Sequence, residues 1–169
     1  MGTWILRCRD DDIHIRGDIP SPGMRLPSFM LVNEQFHDVP LEHFRDRKKI
    51  IMSVMSIELV DSARLVDELR SALKARNLTN TAIIIISADL PLAQHRCAVA
   101  RGWAGVTLLS TLRGRDFHKD YGVLITDYPF AGLTGPALWV AGGDDTVLYA
   151  ERLANTEGSF DWESVADWA

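Results

Sequence analysis

Few residues in this 169-residue chain have the type and spacing for covalent chemistry. The two cysteines, Cys8 and Cys97, could each supply a thiolate, the form of the side chain that attacks and is oxidised. They lie far apart and in no metal-ligand spacing. The stretch from Met55 to Ser62, "MSIELVDS", offers a different set. Ser62 could be a nucleophile beside a base. Glu58 and Asp61 could form a carboxylate acid–base pair. The simpler alternative is that Ser62 or Asp61 caps a helix and the acids complement its dipole. No Ser–His–Asp context or oxyanion motif surrounds Ser62. Cys97 has His95 and Arg96 beside it, whose charge could activate the thiol, or it packs as a small apolar residue. Cys8 falls in an N-terminal hairpin, near no predicted site. His14, His37, His43, His95 and His118 show no metal spacing. "AGGDDT" (Ala141 to Thr146) lacks the later ligands of a calcium loop and reads as a hairpin turn. No metal and no cofactor is expected.

The elements that must position these residues follow from periodicity. "WILRCR" and "IHIRG" predict a hairpin turning at Asp10 to Asp12. "DIPSPGMRLPSF" is an irregular connector, "FMLVN" a short strand and "PLEHF" one helical turn. "KKIIMSVM" and "TAIIIISAD" are apolar runs that suit buried strands. Between them Leu65, Val66, Leu69 and Leu73 share one helical face from Asp61 on. "LPLAQHRCAVARG" is a helix with Pro91 in its first turn and Gly102 at its end. "WAGVTLLS" is a strand, "GRDFHKDYG" a short helix closed by Gly122, and "VLITD" a short strand. "PALWVAGGDDTVLYAERL" predicts a hairpin, and "FDWESVADW" a last helix capped by Asp161. The sum is one domain over residues 1–169, a mixed α/β sheet with helices on both faces.

Composition excludes several classes. The net charge is −5, with no basic stripe interleaved with aromatics, which argues against nucleic acid. No apolar run approaches the roughly 18–20 residues that span a bilayer, so no membrane is expected. The N-terminus lacks a signal-peptide pattern, and cysteine usage suits a reducing, cytoplasmic compartment.

"SADLPLAQHR" (Ser87 to Arg96) and the segment from Gly105 to Leu133 resemble the thiol peroxidase branch of the peroxiredoxins. "IPSPGMRLPSFMLVN" and "DVPLEHFRDRKKII" agree with it, so the resemblance covers nearly the whole chain. It implies a bacterial protein with a thioredoxin-like fold, and a homodimer whose interface lies near the active-site helices. Trp103 would be an extra anchor there. The family's peroxidatic cysteine sits in the pattern Pro-x-x-x-Thr-x-x-Cys at a helix N-terminus. Those positions hold Met55, Leu59 and Ser62 here. The family's supporting arginine matches Pro136, and its resolving cysteine matches Ala98, one residue from Cys97. A serine hydroxyl neither ionises near neutral pH nor climbs the sulfenic ladder. The expectation is therefore a catalytically inactive homologue, its pocket (Met55, Glu58, Leu59, Asp61, Ser62, Pro136) now less polar and binding an apolar small molecule or a protein partner. Two alternatives stand beside it: a non-redox enzyme acting on a small metabolite in that pocket, or residual thiol peroxidase activity through Cys97. By likeness to thioredoxins, the Gly135–Pro136 bond is expected to be cis.

Overall fold

In the computed structural model, which describes every residue except Met1 and Arg115, hydrophobic alternation and turn residues set out ten strands. They are β1 (Thr3–Cys8), β2 (Asp11–Arg16), β3 (Met30–Val32), β4 (Asp38–Pro40), β5 (Lys48–Ser53), β6 (Thr81–Ser87), β7 (Thr107–Ser110), β8 (Leu124–Ile125), β9 (Ala137–Ala141) and β10 (Val147–Arg152). The helices are α1 (Val60–Leu73), α2 (Pro91–Arg101), α3 (Phe117–Asp120) and α4 (Trp162–Trp168). A 3-10 turn spans Leu41–Phe44. No helix among the described residues is long and apolar enough to cross a membrane.

The large sheet has seven strands in the order β10-β9-β5-β6-β7-β3-β4. β5 pairs parallel with β6 and antiparallel with β9, and β6 pairs parallel with β7. Central strands covered on both faces need apolar residues at every position, which explains the unbroken runs in β5 and β6. Ile51, Ile84, Ile86 and Trp139 point to one face, with Phe44, Phe117 and Tyr121. Ile50, Met52, Ile85, Leu138 and Val140 point to the other, with Leu65, Val66 and Leu69 of α1 and Val165 of α4. The expected mixed sheet with helices on both faces and an N-terminal hairpin is what forms.

Capping follows the residues. Gly102 takes a left-handed φ of 66° after α2, and its N–H turns back to Ala98 and Val99. Asp161 accepts from the Ser164 N–H at 3.1 Å, starting α4 as expected. The first hairpin turns earlier than expected. Arg9 adopts a left-handed φ of 56°, so Asp11 and Asp12 already belong to β2. The edge strand β4 is too short to show a period and was not foreseen.

Two expectations are corrected here. The Gly135–Pro136 bond is trans. This segment runs straight into β9, with the Gly135 carbonyl accepting from Ser53 at 2.6 Å and the Pro136 carbonyl from Leu153 at 3.0 Å. An extended path with both carbonyls paired is what a trans link continues. Trp103 is 5% exposed and packs in the protein's own core, its indole N–H donating to Asp67 at 2.7 Å. It is not free to anchor a partner.

Candidate active site

The segment between β5 and α1 is held by one carboxylate. Asp89, on the β6–α2 connection, accepts the Ser56 hydroxyl at 2.6 Å, the Ile57 N–H at 2.9 Å and the Ser87 hydroxyl at 2.7 Å. Gln94 then ties Ser87 to the Leu109 carbonyl, with bonds of 2.9 and 3.0 Å. A carboxylate with three donors is compensated for its desolvation, so this network fixes the path into α1. The expected cap by Ser62 or Asp61 does not form. Helix α1 starts at Val60 after Leu59, which makes no side-chain cap. Ser62 lies in the first turn, 5% exposed, and among the described residues takes only a long 3.4 Å bond from the Ser56 N–H.

The hairpin supplies the opposite wall. Leu6, Ile13 and Ile15 alternate inward on β1 and β2 and pack with Ile125 of β8 and Met55 in a third small core. β1 is further tied to the chain after β10. The Arg7 N–H donates to Ala154 at 2.7 Å, the Thr156 N–H donates to Arg7 at 2.9 Å, and the Trp4 indole donates to Leu153 at 2.8 Å. These bonds bring the end of β1 over the start of α1.

A cavity of about 740 Å³ lies between them. The six residues singled out from the sequence, Met55, Glu58, Leu59, Asp61, Ser62 and Pro136, all line it. So does Cys8, which had been placed near no site. Its position depends on the inward alternation of the hairpin, which needs an apolar partner, and Met55 is that partner. The signal was present in Leu6, Ile13 and Ile15. The partner face was not readable from local pattern. Arg9, beside Cys8, is the one cation in the lining among the described residues.

Other expected pairings dissolve. Glu58 forms an ion pair with Arg96 of α2, so it does not join Asp61 as an acid–base couple. Cys97 is half-buried on α2, its Sγ 3.5 Å from the Ile57 carbonyl. Burial pushes its thiol above the ordinary range, outweighing the opposing Arg101 charge. The neighbours expected to activate it are engaged elsewhere: His95 Nδ1 lies 2.6 Å from Glu34, and Arg96 binds Glu58. The acids of the β9–β10 turn are also committed. Asp145 pairs with the fully buried Lys49 at 2.6 Å, and Asp144 accepts the Thr146 N–H at 3.0 Å.

No family model matches the chain. A curated thiol peroxidase of Vibrio cholerae is 31% identical over 158 residues, which are 93% of this chain and 94% of that protein. The chain belongs to the thiol peroxidase family. A solved thiol peroxidase from Chromobacterium violaceum is 40% identical and superposes with a TM-score of 0.92, over 97% of this chain and 94% of that one. A peroxiredoxin-like protein from Aquifex aeolicus, 20% identical, shares the thioredoxin-like fold with a TM-score of 0.85, over 96% of this chain and 94% of that one.

These likenesses overturn the expectation of an inactive homologue. Proteins named as thiol peroxidases match the chain at 31% and 40% identity over nearly its full length, which points to an active thiol peroxidase.

Proposed function

We propose that this thiol peroxidase family member reduces hydroperoxides with a thiol at the cavity, and that the thiol is Cys8. The observation that carries this reading is that Cys8 lines the same cavity as Ser62, where the resemblance would put the peroxidatic cysteine. On this reading position 62 has lost its thiol and the hairpin supplies one. The Cys8 thiolate attacks one peroxide oxygen. An S–O bond forms, the O–O bond breaks, and the departing oxygen takes a proton to leave as alcohol or water. Cys8 is left as sulfenic acid. An added dithiol then attacks the sulfur, water leaves, and its second thiol displaces Cys8 as the free thiol. Arg9 offsets negative charge at this end of the cavity. A reducing compartment, cytoplasmic by expectation, fits a chemistry that needs both cysteines as thiols.

A second reading assigns the reaction to Cys97, whose Sγ packs on the same loop at Ile57. Its raised pKa weighs against it, since less thiolate is present at neutral pH. The homodimer that the resemblance implies belongs to this proposal. Val60, Leu92 and Val99 are 80%, 66% and 68% exposed, apolar area that self-association would cover.

The test is consumption of hydrogen peroxide and cumene hydroperoxide with dithiothreitol as reductant. The wild type, Cys8→Ala and Cys97→Ala are compared, with mass spectrometry of both thiols. Turnover lost in Cys8→Ala and kept in Cys97→Ala is the expected result. The reverse pattern favours the second reading. No turnover in the wild type overturns both.

A further inference from the structure

Resting on that reading, we propose that the cavity discriminates by charge, taking uncharged hydroperoxides with an apolar body and rejecting those that carry a carboxylate. The walls are apolar where a substrate body would lie, with Leu59, Leu65 and Phe130 among the lining residues. The charge in the same lining is unbalanced. Arg9 faces four carboxylates, those of Asp11, Glu58, Asp61 and Glu157. Arg96, outside the lining, neutralises Glu58. Asp11, Asp61 and Glu157 have no ion-pair partner among the described residues, which leaves three anions against one cation.

The nearby guanidiniums do not redress this. Arg7 is paired with Asp12. Arg64 is bound to Glu68, Ser159 and the carbonyls of Thr156 and Gly158. A substrate carboxylate would thus enter a region of net like charge between low-dielectric walls, where Arg9 alone stands against the three unpaired acids. A neutral oxygen meets no such opposition.

The experiment compares cumene hydroperoxide with its para-carboxylate analogue, the same body with one added charge. At low ionic strength and pH 7.5 the carboxylate is expected to show about tenfold lower kcat/KM, the effect of one like charge at several ångströms in a partly screened site. The gap should shrink in 0.5 M salt and in Asp61→Asn/Glu157→Gln. Equal kcat/KM, or a preference for the carboxylate, overturns the proposal. Calorimetric binding of the two product alcohols, 2-phenyl-2-propanol and its para-carboxylate, separates this proposal from the thiol reading. If neither peroxide is turned over, the thiol reading fails, yet tighter binding of the neutral alcohol still supports charge selection. Equal binding, tighter binding of the carboxylate, or binding of neither alcohol overturns it.

Discussion

Asp89 reaches across from the β6–α2 connection to take the backbone N–H of Ile57 at 2.9 Å. The Ile57 carbonyl, on the other side of the same residue, lies 3.5 Å from the Cys97 sulfur. One peptide segment is therefore gripped from two sides just before α1 begins. This grip is polar, and it lies behind the cavity wall rather than in it.

Removing the carboxylate should loosen that segment. Asp89→Ala strips the partner from two hydroxyls and one backbone N–H, and is expected to cost about 2–4 kcal/mol of stability. Ser56→Ala, which removes one donor, should cost about 1 kcal/mol. Urea unfolding of the three proteins checks the order.

Ser62 sits in the first turn of α1, where unpaired N–H groups favour an anion. Ser62→Cys places a thiol there. A thiol whose pKa falls from about 8.5 to about 6.5 gains more than tenfold in thiolate at pH 7. The variant should consume cumene hydroperoxide at least about tenfold faster than the wild type. A rate equal to the wild type would show that the cavity does not activate a thiol at that position.

Burial raises the Cys97 pKa, so its thiolate is scarcer at neutral pH than that of free cysteine. In Cys8→Ala, alkylation of the remaining thiol by iodoacetamide should lag behind free cysteine throughout pH 7 to 9. The midpoint of its pH–rate curve should lie above that of free cysteine.

His118 is 9% exposed, with Nε2 placed 2.9 Å from the Gly132 carbonyl. Burial lowers its pKa, although the bond to the carbonyl opposes the shift. The unfolded chain then binds a proton more readily than the native one. Its contribution to stability is present above the ordinary histidine value of about 6.5, and is lost as pH falls through the lower native pKa. Unfolding free energy should decline between about pH 7 and 5, and His118→Gln should flatten that decline. The shifted carboxyls of Asp127, Asp144 and Asp161 sit low, so their losses fall at more acid pH.

Much of the fold could be read because its signals are local. The isoleucines of β6, the face of Leu65, Val66, Leu69 and Leu73 on α1, and Pro91 and Gly102 bounding α2 each declare themselves within a few residues. The composition of the cavity was also legible in part, through Met55, Glu58, Leu59, Asp61, Ser62 and Pro136. What escaped depends on contacts between distant segments. Cys8 reaches the cavity because a hairpin core closes on Met55. Arg96 reaches Glu58 from a neighbouring helix. Lys49, a charged residue near the start of β5, is fully buried against Asp145 of a distant turn. Side-chain periodicity records which face is apolar, not which partner will cover it.

The hairpin and the large sheet keep separate hydrophobic cores, and Met55, just after β5, packs in the hairpin's core and lines the cavity. This division uncouples tuning from durability. Sequence drift at the tip of the first hairpin can reshape what the protein accepts, while the isoleucine-rich interior that sustains its folding stays untouched. Selection can therefore explore new specificities at the amino end of the chain without drawing on the stability reserve of the rest.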